Sequence, residues 1–183
     1  GCCGMSADAD LEMAAPATEW QGGPTGGQVV VLVHGLGASW GVFAPILPLL
    51  AEQVSVLAID LPGFGARAPD ARTAPGVAGY ADWLERDLAG RGIVAPHVVG
   101  SSMGGAVALE MARRGTAASA TAFAPIGFWR RGGRRWCQAL LTVLRGVARV
   151  AAAPAERALR RPSGRAVLLR PLYGTPREVD PDA

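Results

Sequence analysis

The chain contains no lysine and no asparagine, and it has two histidines, three cysteines and few aromatic residues (6%). With lysine absent, all 18 basic residues are arginine, a bias that matches codon usage in a G+C-rich genome rather than selection for a binding surface. The cysteines, Cys2, Cys3 and Cys137, make neither a disulfide framework nor a metal-ligand spacing, and they suit a reducing cytoplasm. No metal and no cofactor are expected, and with neither a GxGxxG fingerprint nor a Walker lysine a phosphate-binding protein is disfavoured. The longest apolar stretch of the C-terminal part, residues 139–153, is interrupted by Arg145 and Arg149, which argues against a membrane span. Residues 1–4 precede Met5, and the acidic stretch that follows lacks the apolar core of a signal peptide, so export is not expected.

What is present is enough for one domain with a core: 183 residues, 50% hydrophobic and 18% charged. The 25 glycines and 14 prolines fall at turns and in the first 27 residues, without an internal repeat. Net charge is +3, but residues 130–170 hold 11 arginines against one acid, Glu156. Such density can attract nucleic acid, anionic lipid or an acidic substrate; the solvated face of a helical segment is the simpler reading. Nucleic acid is not expected, because no aromatic residues are interleaved with the arginines.

Apolar, β-branched runs at Val29–Val33 and at 54–60 read as strands buried on both faces, with a helical pattern ending near Gln53 between them. A long Pro/Gly-rich loop, 61–76, opens into a helix whose Tyr80, Trp83, Leu84 and Leu88 share a face. A third strand at 97–99, a small-residue helix at 102–114 ended by Gly115, and a fourth strand at Ser119–Phe123 follow. Alternating strands and helices imply a parallel sheet covered by helices. Beyond Pro125 the pattern becomes helical over 136–161, with Leu140, Leu141, Leu144, Val147 and Ala148 at i, i+3, i+4 spacing. Residues 167–169 read as a short strand or a helical turn, and the tail after Tyr173 as a frayed end.

The motif that carries chemistry is Gly100-Ser101-Ser102-Met103-Gly104, a G-x-S-x-G elbow between a strand and a helix. Register selects Ser102 as the candidate nucleophile, because Val99 and Met103 stand where Ser101 would need glycine. A turn that pushes one side chain out of the strand end forces close backbone approaches, which Gly100 and Gly104 permit. A serine at a helix N-terminus also sits beside free N–H groups that can stabilise developing negative charge.

Together these residues resemble the α/β-hydrolase superfamily, specifically its lid-bearing serine esterase and C–C hydrolase-like members, over residues 28–182. His34-Gly35-Leu36-Gly37 is similar to the family's HGxG oxyanion loop, Asp60-Leu61-Pro62-Gly63-Phe64-Gly65 to its DxPGxG turn, and the stretch from Gly100 to Gly105 to its GxSMGG elbow. The resemblance implies a core at 28–127 after a flexible lead-in at 1–27, and a truncated helical lid at 128–183. It implies that the strands at 54–60, 29–33, 97–99 and 119–123 lie side by side in that order, the last as a raw edge. It implies an oxyanion hole built from the backbone N–H groups of Leu36 and Met103. The substrate would be a small acyl compound, hydrolysed at an ester or related bond. Ala66-Arg67 departs from the family, which often has a serine after PGxG. The larger departure is the triad: the family's acid and histidine follow later strands, and this chain has only His34, in the oxyanion loop, and His97, upstream of the elbow. The expectation is therefore the N-terminal portion of a serine hydrolase, nearly inactive by itself; a non-catalytic ligand- or partner-binding module is the alternative.

Overall fold

The computed structural model describes residues 17–129 and 132–168. Five strands form one sheet: β1 (Glu19–Gly22), β2 (Val29–Val33), β3 (Ser55–Ile59), β4 (His97–Ser101) and β5 (Ser119–Phe123), in spatial order β1-β3-β2-β4-β5. The β2–β3, β2–β4 and β4–β5 pairs are parallel, so β3 to β5 lie side by side in the expected order. The lead-in was expected to be flexible throughout, but Glu19–Gly22 pairs antiparallel with β3, Glu19 opposite Ile59 and Gly22 opposite Val56. A four-residue strand with one bulky side chain, Trp20, is too short for periodicity to reveal.

The helices are α1 (Leu47–Ala51), preceded by a 3-10 turn at Trp40–Phe43, then α2 (Val77–Gly90), α3 (Met103–Arg114), α4 (Gly133–Leu159) and α5 (Pro162–Leu168). The strands alternate between two apolar layers, as a period of two requires. Val31, Val33, Leu57, Ile59 and Val98 face α2 and α3 and pack with Leu84, Leu88, Val107 and Met111. Leu32, Val56 and Ala58 face the other way, onto Leu47, Trp20, Trp40 and Phe43. Burial of β2 and β3 on both sides explains why their sequences are continuous apolar runs rather than alternating ones.

At the far edge β5 has a single partner, β4, among the described residues. Ala120 is packed against the α2/α3 layer, whereas Ser119, Thr121 and Phe123 are exposed, Phe123 at 60%. The helical expectation over 136–161 corresponds to the single helix α4, and a further helix, α5, follows it with Pro162 at the first helical position, where its missing N–H costs nothing. Val167 belongs to α5, so the helical alternative holds there; Leu169 and the tail after Tyr173 lie outside the described residues.

Candidate active site

Strand β4 ends at Ser101 and α3 begins at Met103, so one residue, Ser102, makes the entire turn. Its φ of 52° with ψ of −110° is a conformation that non-glycine residues rarely hold. Three backbone contacts over-determine it: the Ser102 N–H donates to the Phe123 carbonyl (2.8 Å), and the Ser102 carbonyl accepts from Ala106 (3.2 Å) and Ile126 (3.2 Å). The side chain makes no capping hydrogen bond to α3, which leaves the hydroxyl uncommitted to the helix end.

Glycine is required around this turn for want of space. A Cβ on Gly100 would collide with the Gly104 carbonyl group, and one on Gly104 would collide with the Val33 carbonyl. On Gly105 it would come within 3.1 Å of the Gly100 carbonyl oxygen, and on Gly35 within 3.2 Å of the Ser102 Cβ. The loop after β2 thus lies directly against the elbow, so the two motifs separated by over sixty residues in sequence meet at Ser102. Gly37, in the same loop, has a φ of 75°.

Two backbone N–H groups at this contact are unengaged. Leu36 follows Gly35 in the loop and Met103 is the first residue of α3; among the described residues neither N–H donates a hydrogen bond within the protein. The Ser102 N–H, by contrast, is committed to Phe123. The positive end of the α3 dipole points at the same place.

His34 is fully buried and both ring nitrogens are occupied. Nδ1 lies 2.7 Å from the Gly35 carbonyl oxygen and can only donate to it, and Nε2 accepts from the Leu61 N–H at 3.1 Å. That pattern fixes a neutral Nδ1–H tautomer. Burial depresses its pKa, opposed by the Gly35 carbonyl and by the Asp60 charge. Although Nε2 is 4.0 Å from Asp60 Oδ1, it carries no proton to share, so this is not an acid–histidine pair of a catalytic kind. Asp60 is spent on the backbone: Oδ1 accepts from the Trp40 N–H (2.7 Å) and Oδ2 from the Ala66 N–H (2.9 Å). His34 and Asp60 together tie the loops after β2 and β3 into one rim.

Arg67, flagged in the sequence as a departure, joins that rim. Its Nε donates to the Asp60 carbonyl (2.7 Å), one Nη2 bonds Thr18 and Glu19 of the lead-in, and the guanidinium stacks 5.0 Å from the centre of the Trp83 ring. Sequence reasoning missed this role because the partners come from three separate elements. His97 sits at the opposite end of β4, four residues and about 13 Å of strand rise from Ser101. There its ring contacts Ser119 Oγ (2.7 Å) and Gln28 Oε1 (2.6 Å), away from the elbow. Neither histidine of the chain is therefore available to Ser102. Glu178, Asp180 and Asp182 lie outside the described residues. Among the described residues no cluster of histidine, cysteine, aspartate and glutamate could hold a metal ion, and no helix is long and apolar enough to cross a membrane.

The α/β-hydrolase family pattern matches residues 30–182. Over 98 residues the chain is 39% identical to epoxide hydrolase EphH of Mycobacterium tuberculosis, covering 52% of this chain and 46% of that protein. It is 37% identical over 99 residues to the pimeloyl-[acyl-carrier protein] methyl ester esterase of Methylococcus capsulatus, covering 52% of this chain and 35% of the esterase. Over 90 residues it is 38% identical to the magnesium-chelatase 30 kDa subunit of Rhodobacter capsulatus, covering 49% and 32%. Among solved structures, the N-acyl homoserine lactonase AidH with N-butanoyl homoserine superposes with a TM-score of 0.53 at 28% identity, over 58% of this chain and 40% of the lactonase. The stretches matched thus span less than half of each of these relatives. With the sheet order, the two converging loops and a family match over most of its length, the chain belongs to the α/β-hydrolase family.

Proposed function

We propose that Ser102 is the nucleophile of a serine hydrolase that cleaves an ester or related acyl bond of a small molecule. The observation that carries this reading is the elbow itself: a serine held at φ 52° between β4 and α3, with its hydroxyl free of capping and flanked by two unengaged amides. In the reaction the Ser102 hydroxyl oxygen attacks the acyl carbon and gives its proton to a base, which passes it to the leaving alcohol. The carbonyl oxygen becomes an anion held by the Leu36 and Met103 N–H groups, and water then releases the acyl group by the same route in reverse. The Ser102 amide takes no part, since Phe123 holds it. Each oxyanion donor of this kind contributes about a hundredfold to a thousandfold in rate.

The proton carrier is the missing component. His34 is locked as a neutral ring between Gly35 and Leu61, and His97 is at the wrong end of β4. The acid and histidine are therefore assigned to chain beyond these 183 residues, and the chain alone is expected to turn over very slowly. This same absence favours a second reading, a non-catalytic module that binds a ligand above Ser102. A fluorophosphonate probe separates them when applied to the chain extended at its C-terminus by its own downstream coding sequence. Labelling mapped to Ser102, lost in Ser102→Ala and kept in Ser101→Ala, is the expected outcome. An extended protein that stays unlabelled at Ser102 leaves the binding module as the reading.

A further inference from the structure

The backbone of Ser102 is gripped by a single turn outside its own helix. Its N–H donates to the Phe123 carbonyl (2.8 Å) and its carbonyl accepts from the Ile126 N–H (3.2 Å), so the end of β5 and the turn after it hold both polar groups of that backbone. The remaining bond, from Ala106 to the same carbonyl, is the first bond of α3 itself. Making the two outside bonds together requires the chain to reverse at once after β5, and Ala124 makes the reversal at a φ of 44°.

The non-glycine residues with positive φ among the described residues are Ala95, Ser102 and Ala124. Ala95 lies at the other end of the sheet, before β4, whereas Ser102 and Ala124 are joined through Phe123 and Ile126. Alanine at that φ is held against its own Cβ, and a residue before proline is normally extended, so Ala124 departs from both preferences. Strain of this kind persists where neighbouring contacts over-determine it. Here they do. Pro125, with its own φ fixed by the ring, sits over the first turn of α3, where a Cβ on Gly105 would come within 3.3 Å of the Pro125 Cβ. Ile126 packs against the α2/α3 core layer. Ala124 itself is exposed, so no packing of its side chain accounts for its conformation.

We propose that Ala124 is a positioning residue for the nucleophile: its left-handed backbone brings the Phe123 carbonyl and the Ile126 N–H to Ser102 together and so keeps the Ser102 hydroxyl beside the Leu36 and Met103 amides. An extended residue at 124 aims the chain away from α3 and surrenders the Ile126 bond. Ser102 is then free to leave its φ of 52°, which serine rarely adopts unforced. The proposal rests on the reading of Ser102 as the nucleophile, and it adds that the turn after β5, besides the glycines of the elbow, sets the geometry of the serine.

The test uses the chain extended by its own downstream coding sequence, with substitutions of Ala124 that separate backbone preference from side-chain size. Glycine and asparagine tolerate positive φ, whereas valine, similar to asparagine in bulk, does not. Ala124→Gly and Ala124→Asn are expected to react with the fluorophosphonate probe at a maximal rate within about twofold of the parent, while Ala124→Val falls about tenfold or more at an unchanged half-saturating concentration. Amide hydrogen exchange at Ser102 should quicken by about tenfold in Ala124→Val alone, with the amides of β2 and β3 unaltered. Equal losses in Ala124→Asn and Ala124→Val overturn the proposal, because size and not backbone conformation then matters; so do parental labelling and exchange in Ala124→Val. Should Ala124→Val fail to fold by circular dichroism, Ala124→Gly/Pro125→Gly decides. That variant frees the turn without a steric conflict and should lower both the maximal rate and the protection of Ser102, and unchanged values overturn the proposal. A parent unlabelled at Ser102 defeats the hydrolase reading instead, and the exchange comparison still decides the role of the turn.

Discussion

The sheet layer, residues 17–129, and the helical segment, residues 132–168, balance their charges in opposite ways. In the sheet layer arginines are structural cross-braces. Arg91 bonds both Glu19 and Asp87, Arg114 reaches Asp82, Glu85 and Glu110, and Arg67 joins Glu19 to the rim of the site. In the helical segment eight arginines share one acid, Glu156. The same residue type thus braces acids in one region and outnumbers them in the other, where Arg165 donates instead to the Leu159 carbonyl at the end of α4. The apolar side chains divide likewise, enclosed by two layers in the sheet and open to solvent along the first half of α4.

That contrast predicts a ranking of mutational effects. The largest belongs to the elbow and the core beneath it. Gly100→Ala forces a Cβ into the Gly104 carbonyl two residues from the strained turn at Ser102, and it should cost on the order of 3 kcal/mol or more in denaturant unfolding. Leu84→Ala empties a fully buried position between α2 and the sheet and should cost about 3 kcal/mol. Either variant measuring below about 1 kcal/mol would dissolve the distinction between the two regions.

The cross-braces come next. Arg91→Ala leaves Glu19 with Arg67 and the Gln21 side-chain amide and frees the α2 end from β1, for an expected cost of about 1 kcal/mol, held down because the site is a quarter exposed. Glu19 has a pKa lowered first by its bond to Arg91, with burial opposing. A depressed carboxylate contributes stability that is present above its unfolded value and lost as pH falls through the folded one. Stability should therefore decline below about pH 4, and the decline should be shallower in Arg91→Ala. His34 works at higher pH. Its buried ring favours the neutral form, so protons bind the unfolded chain first and stability should begin to fall as pH drops below about 6.5. His34→Gln should be less stable throughout yet lose that slope; an unchanged slope would mean that the ring is not held neutral.

Legibility in sequence follows the same divide. Strands β2 and β3 could be read because burial on both faces writes a continuous apolar run, and the elbow because three glycines and a serine are required at fixed spacing. β1 was hidden: four residues within a Gly/Pro-rich lead-in carry no period, and the strand exists because β3 offers it an edge. The meeting of Gly35 with Ser102 could be expected from the family motifs, but the lock on His34 could not, since it depends on the Leu61 amide of a different loop. Arg67 shows the reverse case, a residue that looked like a departure and turns out to link β1, the Asp60 turn and Trp83.

The smallest predicted effect is the most discriminating. Leu140 is as apolar as Leu84, yet it is 45% exposed on a helix that packs on α5 alone among the described elements with substantial contact. Leucine and alanine differ little in helix propensity, so Leu140→Ala should change unfolding stability by no more than about 0.5 kcal/mol. An effect of about 2 kcal/mol or more would mean that the stripe is packed inside the free protein, against the core or against a second copy.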